Sequence, residues 1–203
     1  MRRTELVRQI ERIPGPVRPR ADLEQVVTPA EAAAELLFSA LAAGHLEGRS
    51  VLDLGTGTGR LAIGAALLGA GPVVGVDSDD GVLEIARRAA SALGVSIEFV
   101  HEEVGRWARR ADVVAMNPPF GAQRQHADRP FWDAAFRLAG LAVYAFALSE
   151  SRTFIARRAV AAGAHVLETR PVGWELPRTF PHHTQRRVTL PVDLWVLEVE
   201  PQP

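Results

Sequence analysis

The stretch that decides the fold of this chain reads Val51-Leu52-Asp53-Leu54-Gly55-Thr56-Gly57-Thr58-Gly59. It starts as an apolar run typical of a buried strand and continues through a glycine-rich turn into a helical pattern at 59–68. Such a turn lets a ligand approach the backbone at the carboxyl end of a parallel strand. The spacing does not fit the dinucleotide fingerprint GxGxxG, because neither Arg60 nor Leu61 is a glycine. The stretch therefore predicts a ligand site at this turn, with a tight turn needed only for packing as the alternative.

Apolar runs alternate with helical periodicities on both sides of this turn. Strands are predicted at 50–54, 73–77, 96–100, 112–116 and 142–148, and helices at 1–13, 29–43, 59–68, 79–93, 131–138 and 151–162. The last two predicted strands, 165–169 and 188–199, have no helix between them. We therefore expect an α/β fold with a mostly parallel seven-stranded sheet, one antiparallel strand, and helices on both faces.

The 203-residue chain has the size and composition of one globular domain, with 47% hydrophobic and 23% charged residues. The helical pattern at the start breaks at Pro14-Gly15-Pro16, so we expect an N-terminal arm and linker over 1–22 and one domain over 23–203. The absence of cysteine excludes a disulfide scaffold, an iron–sulfur cluster and a cysteine nucleophile. No signal sequence or membrane-spanning run is present, so we expect a soluble, cytoplasmic protein.

Positive charge is distributed unevenly, although the formal net charge is only -1. Residues 1–20 carry six arginines against two glutamates, and the chain contains no lysine. Genome composition is one explanation for this use of arginine, and the bidentate binding of phosphate by guanidinium groups is the other. A polyanionic partner is therefore open.

Acidic residues follow two further predicted strands at the same edge of the sheet. Asp77 ends the second strand, about 20 residues beyond the glycines, where a carboxylate can bind both hydroxyls of a ribose. Asp77 or Ser78 can instead start the next helix. Glu102 and Glu103 follow the third strand, and for them a solvated charge run is the alternative.

The most specific feature of the sequence is the strand at 112–116 and the residues that follow it, Asn117-Pro118-Pro119-Phe120. Each proline fixes φ and removes a backbone donor, which leaves an array of acceptors. The Asn117 side-chain carbonyl and the Pro118 backbone carbonyl can both accept from an NH₂ group, and the Phe120 ring can stack on a flat ring. The motif therefore predicts a site for a planar amine or amide, with a turn that merely ends the strand as the alternative.

These motifs resemble those of class I S-adenosylmethionine-dependent methyltransferases: DxGxGxG resembles motif I, and residues 117–120 resemble the (D/N)PP(Y/F) motif of enzymes acting on amino or amide nitrogens. From Leu23 onward, with Asp193-Leu194 in the last strand, the chain is similar to the archaeal and eukaryotic adenine-specific ribosomal RNA methyltransferases. The resemblance implies a Rossmann-like methyltransferase fold with S-adenosylmethionine as cofactor. The implied catalytic residues are Asn117, Pro118, Pro119 and Phe120. The implied cofactor-binding residues are Gln25, Thr28, Asp53, Gly55, Gly57, Thr58, Gly59, Asp77, Ser78, Glu103, Val104 and Asn117.

Two parts of the chain need separate comment against this family. Gln25 and Thr28 match residues of the family's cofactor lid, but Thr28-Pro29-Ala30-Glu31 is also a complete capping box. Val26-Val27 stands where the family usually has Tyr-Pro, which removes an aromatic contact.

The family's lysine-rich stretch before the last strand appears here as His182-His183-Thr184-Gln185-Arg186-Arg187. We expect Arg186 and Arg187 to bind RNA phosphates, with a solvated turn as the alternative. The two histidines lack further metal ligands, so we expect no metal site.

The family also implies a partner, because it pairs a catalytic subunit of this size with a small zinc-containing activator subunit. The predicted strand 96–100 lies at a sheet edge in the usual methyltransferase strand order and has no proline or glycine in its interior. We expect this edge to accept the activator. The alternative is that the arm at 1–20 folds back over it.

The leading functional hypothesis is methyl transfer from S-adenosylmethionine to the 6-amino group of an adenosine in structured RNA, with ribosomal RNA as the first candidate. Methylation of a glutamine side chain in a protein is the nearest alternative. A nicotinamide-dependent oxidoreductase is disfavoured by the misfit to GxGxxG, and a catalytically silent cofactor-binding scaffold is disfavoured by the intact residues 117–120.

Overall fold

The computed structural model describes residues 1–20, 23–121, 126–177 and 187–200. Within these ranges the helices are α1 (Arg3–Glu11), α2 (Ala30–Ala42), α3 (Arg60–Leu67), α4 (Asp80–Ala92), α5 (Arg129–Leu138) and α6 (Arg152–Ala161). The strands are β1 (Val51–Leu54), β2 (Val73–Asp77), β3 (Glu98–His101), β4 (Ala111–Met116), β5 (Ala139–Leu148), β6 (Ala164–Val172), β7 (Glu175–Pro177), β8 (Arg187–Thr189) and β9 (Val192–Val199).

Seven of these strands form one sheet in the order β3-β2-β1-β4-β5-β9-β6. The first five are parallel, and β9 lies antiparallel between β5 and β6. Helices α1, α2 and α3 bury apolar side chains on one face of the sheet, and α5 and α6 cover the other. The expected mostly parallel seven-stranded sheet with one antiparallel strand and helices on both faces is confirmed.

The N-terminal helix belongs to the main core. Leu6, Val7 and Ile10 of α1 are buried and pack with α2 and α3. Gly64 of α3 allows this close approach, because a Cβ there would collide with the Leu37 side chain and come within 3.2 Å of Ile10. The alternative in which the arm covers the sheet edge is therefore wrong for α1, whereas the division of the chain at residue 22 stays a prediction.

The largest differences from the sequence prediction are near the C-terminus. The expected strand 188–199 is interrupted, because Leu190 and Pro191 separate β8 from β9 and Pro191 has no backbone N–H to donate. β8 pairs instead with β7 in a separate two-stranded sheet that the pattern did not predict. Among the described residues, no helix has both the length and the apolar character needed to span a lipid bilayer.

Candidate functional site

A cavity of about 340 Å³ opens where the carboxyl ends of β1, β2 and β4 meet. Parallel strands bring these ends to one edge, so residues that are distant in sequence converge there. Most of the predicted site residues line this cavity, namely Gln25, Thr28, Asp53, Gly55, Gly57, Thr58, Asp77, Ser78, Glu103, Val104, Asn117 and Pro119.

The glycine-rich turn after β1 forms the floor of the cavity. Gly57 has a φ of +55°, and a Cβ there would meet no atom within 4 Å, so its backbone is open to a ligand. Gly55 is constrained differently, because a Cβ would lie 2.7 Å from the Phe131 ring. Gly59 precedes α3 and lies against Ala86 rather than in the cavity lining. The turn thus combines ligand access at its centre with close packing at both ends.

Asp53 at the base of this turn is fully buried. Its Oδ2 accepts hydrogen bonds from Thr56 Oγ1 at 2.6 Å and from the Ala62 N–H at 3.0 Å. Its Oδ1 is buried without a hydrogen-bond partner, and burial raises the pKa of the carboxyl to about 7. An unpaired carboxylate oxygen in the wall of a cavity fits a cationic group of a ligand.

Asp77 at the end of β2 ties the glycine turn to the next loop. Its Oδ2 accepts from the Gly57 N–H at 2.8 Å and its Oδ1 from the Asp79 N–H at 3.0 Å. Each oxygen retains a lone pair for a ligand hydroxyl, and burial raises the pKa of this carboxyl. Asp79, whose side chain accepts from the Gly81 N–H, caps α4. The interpretation of Asp77 as a helix start is therefore wrong.

Two residues after β3 complete the far wall of the cavity. Val104 is buried and Glu103 is exposed, and both line the space opposite β1. The Glu103 N–H donates to the Glu102 carboxylate at 2.9 Å, which fixes the loop. An apolar side chain beside a carboxylate suits a flat, polar ring.

Asn117 follows β4 directly and has a defined orientation. Its Nδ2 donates to Thr28 Oγ1 at 3.0 Å and to the Val26 carbonyl at 3.4 Å. Its Oδ1 is buried and has no hydrogen-bond partner. The amide oxygen is therefore available as an acceptor for a ligand.

The rest of this motif forms a second, smaller cavity beside the first. Pro118, Pro119 and Phe120 line it together with side chains from α5 and the turn after β5, namely Asp128, Trp132 and Ser151. The Phe120 ring packs edge-to-face on Trp174, with ring centroids 5.6 Å apart. The sequence analysis missed Trp174, which is fully buried and follows β6.

Residues 23–28, here called the strap, cross the site from one side to the other. The Gln25 side-chain amide donates to the Asp79 carboxylate at 2.8 Å, and its oxygen accepts from the Arg20 N–H at 2.8 Å. At the other side the Gly121 N–H donates to the Glu24 carboxylate at 2.9 Å. Glu24 and Asp79 were not among the predicted site residues, since nothing local in the sequence marks these long-range contacts.

Thr28 at the end of the strap does not cap a helix. α2 begins at Ala30, and its N-cap residue Pro29 makes no side-chain capping bond. The Thr28 carbonyl accepts from the Arg60 guanidinium at 2.7 Å, and the hydroxyl faces Asn117. The predicted capping box is therefore wrong, because the hydroxyl is engaged by the site.

The predicted RNA-binding residues cannot be placed against this site. Arg186 lies outside the described residues, as do His182 and His183. Arg187 is the first residue of β8, and only its backbone is described. Their proposed role stays a prediction.

Comparisons with known proteins agree on a methyltransferase. The profile of the family described as "Ribosomal protein L11 methyltransferase (PrmA)" matches residues 32–118. The rRNA N(6)-adenosine-methyltransferase METTL5 of Danio rerio is 30% identical over 200 residues, which covers 95% of this chain and 97% of that protein. The uncharacterized protein MJ0284 of Methanocaldococcus jannaschii is 32% identical over 192 residues, covering 89% and 86%. The crystal structure of PH1948 from Pyrococcus horikoshii, a proposed RNA methyltransferase, has a TM-score of 0.91 and 35% identity, with 98% of each chain covered.

Proposed function

Because this chain belongs to the class I S-adenosylmethionine-dependent methyltransferases, in the family of METTL5, we propose that it methylates the 6-amino group of an adenosine in structured RNA, with ribosomal RNA as the substrate. The observation that carries this proposal is the Asn117 oxygen, buried and without a partner beside Pro118 at the edge of the larger cavity. A buried acceptor without a partner is costly, so it is best explained by a donor that the substrate brings.

The proposed role of this motif follows from the chemistry of the target. The lone pair of an amino group on an aromatic ring is delocalised into the ring, which makes the nitrogen a poor nucleophile. Hydrogen bonds from its NH₂ to Asn117 Oδ1 and to the Pro118 carbonyl would localise the lone pair and aim it at the methyl group. No strong base is needed, since the nitrogen becomes acidic as it gains positive charge.

The larger cavity has the donors and acceptors that S-adenosylmethionine requires. Bound there, this cofactor supplies a methyl group activated by a sulfonium. The unpaired Asp53 oxygen would bind its ammonium group, and the Asp77 carboxylate would bind the ribose hydroxyls. Glu103 and Val104 would flank the adenine.

RNA would have to present the target base outside its stack, because the acceptors lie beside a cavity. The Phe120 ring, held by Trp174, would stack on the flipped base and offset part of an unstacking cost of a few kcal/mol. Arg186 and Arg187 would bind backbone phosphates close to the base.

The test of this function is nucleoside mass spectrometry of ribosomal RNA from a strain that lacks the gene. We expect one N6-methyladenosine to disappear, to return with the wild-type gene, and to stay absent with Asn117→Ala. Thr153→Val, on the exposed side of α6, is the matched control and should restore the modification. Full complementation by Asn117→Ala would contradict the assigned site, and unchanged N6-methyladenosine in the deletion strain would contradict the substrate.

A partner also belongs to this proposal. β3 is an edge strand of the sheet and pairs with β2 alone among the described strands, which leaves its outer backbone groups free to accept a further strand. We propose that a small zinc-containing activator subunit binds this edge and stabilises the catalytic subunit by mass action. Co-expression followed by size-exclusion chromatography tests this, since a chain that stays monomeric and fully active beside the candidate activator would refute it.

A further inference from the structure

We infer that Thr28, together with the Val26 carbonyl, is a positioning group that holds the Asn117 side chain with its oxygen toward the target amino group. This inference rests on the proposed function and adds to it a residue that acts through Asn117 rather than on the substrate. The two hydrogen bonds to Asn117 Nδ2, at 3.0 Å and 3.4 Å, are its geometric basis.

The orientation of a carboxamide matters here because its two ends have nearly the same shape and opposite hydrogen-bonding character. A rotation of 180° about the last side-chain bond of Asn117 would present an NH₂ to the substrate NH₂, and two donors cannot bond to each other. The Val26 carbonyl can only accept, so it selects the orientation in which Nδ2 faces the strap. The Thr28 hydroxyl supplies the shorter of the two bonds and strengthens that selection.

The position of Thr28 is itself fixed from several sides. Its carbonyl accepts from the Arg60 guanidinium at 2.7 Å, and the same guanidinium donates to the Ile13 carbonyl at 2.9 Å. The residue is only 8% exposed. A side chain held in this way can keep a reacting group within the narrow range of geometry that catalysis requires.

The unpaired Asn117 oxygen is the second, independent observation. In the alternative orientation this oxygen would face the Thr28 hydroxyl, which can donate, and would be satisfied. Instead the structure leaves the oxygen buried without a partner and satisfies the NH₂ end. The strap therefore keeps a strong acceptor free until substrate arrives, which is the arrangement expected of a preorganised site.

The test uses Thr28→Val, which keeps the shape of the side chain and removes the hydroxyl, and Thr28→Ser, which keeps the hydroxyl. Because Thr28 makes no capping bond, Thr28→Val removes no helix cap. Single-turnover methylation at saturating S-adenosylmethionine should be slowed about 10- to 100-fold by Thr28→Val, the range expected when a reacting group loses its alignment. The dissociation constant of S-adenosylmethionine should stay close to that of wild type. Thr28→Ser should restore the rate, and Thr28→Ala replaces Thr28→Val if the latter does not fold.

A second measurement separates this inference from the proposed function. The side-chain amide of Asn117 gives its own pair of signals in a nitrogen–proton correlation spectrum, identified by their loss in Asn117→Asp. Hydrogen exchange of these protons should be slow in the wild type and in Thr28→Ser, and clearly faster in Thr28→Val. A wild-type enzyme that leaves RNA unmodified would refute the proposed function while this spectrum still tests the orientation.

Two results would overturn the inference. One is a Thr28→Val enzyme with the wild-type rate and unchanged exchange of the Asn117 amide. The other is a variant with weakened S-adenosylmethionine binding but an unchanged rate at saturation, which would make Thr28 a cofactor-binding residue only.

Discussion

Substituting Asp53 by asparagine should change how the stability of the cofactor-free protein depends on pH. Asparagine keeps an oxygen for the Thr56 hydroxyl and the Ala62 N–H but cannot ionise. In the wild type, burial raises the pKa of Asp53 from 3.8 to about 7. Since a tenfold change in an ionisation constant corresponds to about 1.4 kcal/mol, the full effect of this group is about 4 kcal/mol.

The sign of the effect follows from proton binding. Between about pH 4 and pH 7, Asp53 is ionised in the unfolded chain and protonated in the folded one, so unfolding releases a proton. The free energy of unfolding contributed by this group is therefore complete below about pH 4 and is lost as the pH rises to about 7. Between pH 5 and pH 7 the loss should reach about 2 to 3 kcal/mol in the wild type, and the Asp53→Asn protein should not show it.

Urea unfolding at pH 5, 6, 7 and 8 measures this difference directly. Asp80→Asn is the control, because Asp80 is exposed on α4 and its substitution should leave the slope with pH close to that of wild type. If the wild-type and Asp53→Asn profiles run parallel from pH 5 to pH 7, the reasoning is refuted and the Asp53 carboxyl is ionised in the folded protein.

Three further predictions concern ligands. Binding of S-adenosylmethionine near pH 7 should release protons from the wild type but not from Asp53→Asn, because a bound ammonium stabilises the ionised carboxylate; calorimetry in two buffers of different ionisation enthalpy measures this. Asp77→Ala should weaken S-adenosylmethionine binding by roughly 1 to 3 kcal/mol, and unchanged affinity in a titration would remove Asp77 from the site. Replacing Arg186 and Arg187 by alanine should reduce the salt dependence of RNA binding by about one in log-log slope per lost phosphate contact, and an unchanged slope would favour a solvated turn.

Most of the sheet could be predicted because its strands are short apolar runs separated by helices with clear periodicity. β1, β2 and β4 are found within one residue of the expected positions. The ladder of β7 and β8 could not be predicted, since β7 has three residues and ends in Pro177. Its pairing depends on contacts across the chain and not on a local pattern.

The cofactor side of the candidate site was accessible from sequence for a similar reason. Asp53, Asp77 and Glu103 each follow or end a parallel strand, and parallel strands bring these positions to one edge. The strap was less accessible, because its contacts join distant residues: Gln25 meets Asp79 54 positions away, and Glu24 meets Gly121 97 positions away. Such pairs follow from the tertiary fold alone.

Thr28 shows how a local signal is overruled. A threonine before Pro29 and the alanine-rich α2 is a strong capping pattern, and a capping bond contributes about 1 kcal/mol. The competing partner is the NH₂ group of Asn117, which is buried beneath the strap and would cost about 1 to 3 kcal/mol if it were left without an acceptor. The first turn of a surface helix can hand its N–H groups to water, whereas a buried amide has no such option. The balance therefore favours the long-range bond, and the same hydroxyl that would have started a helix holds Asn117 in place.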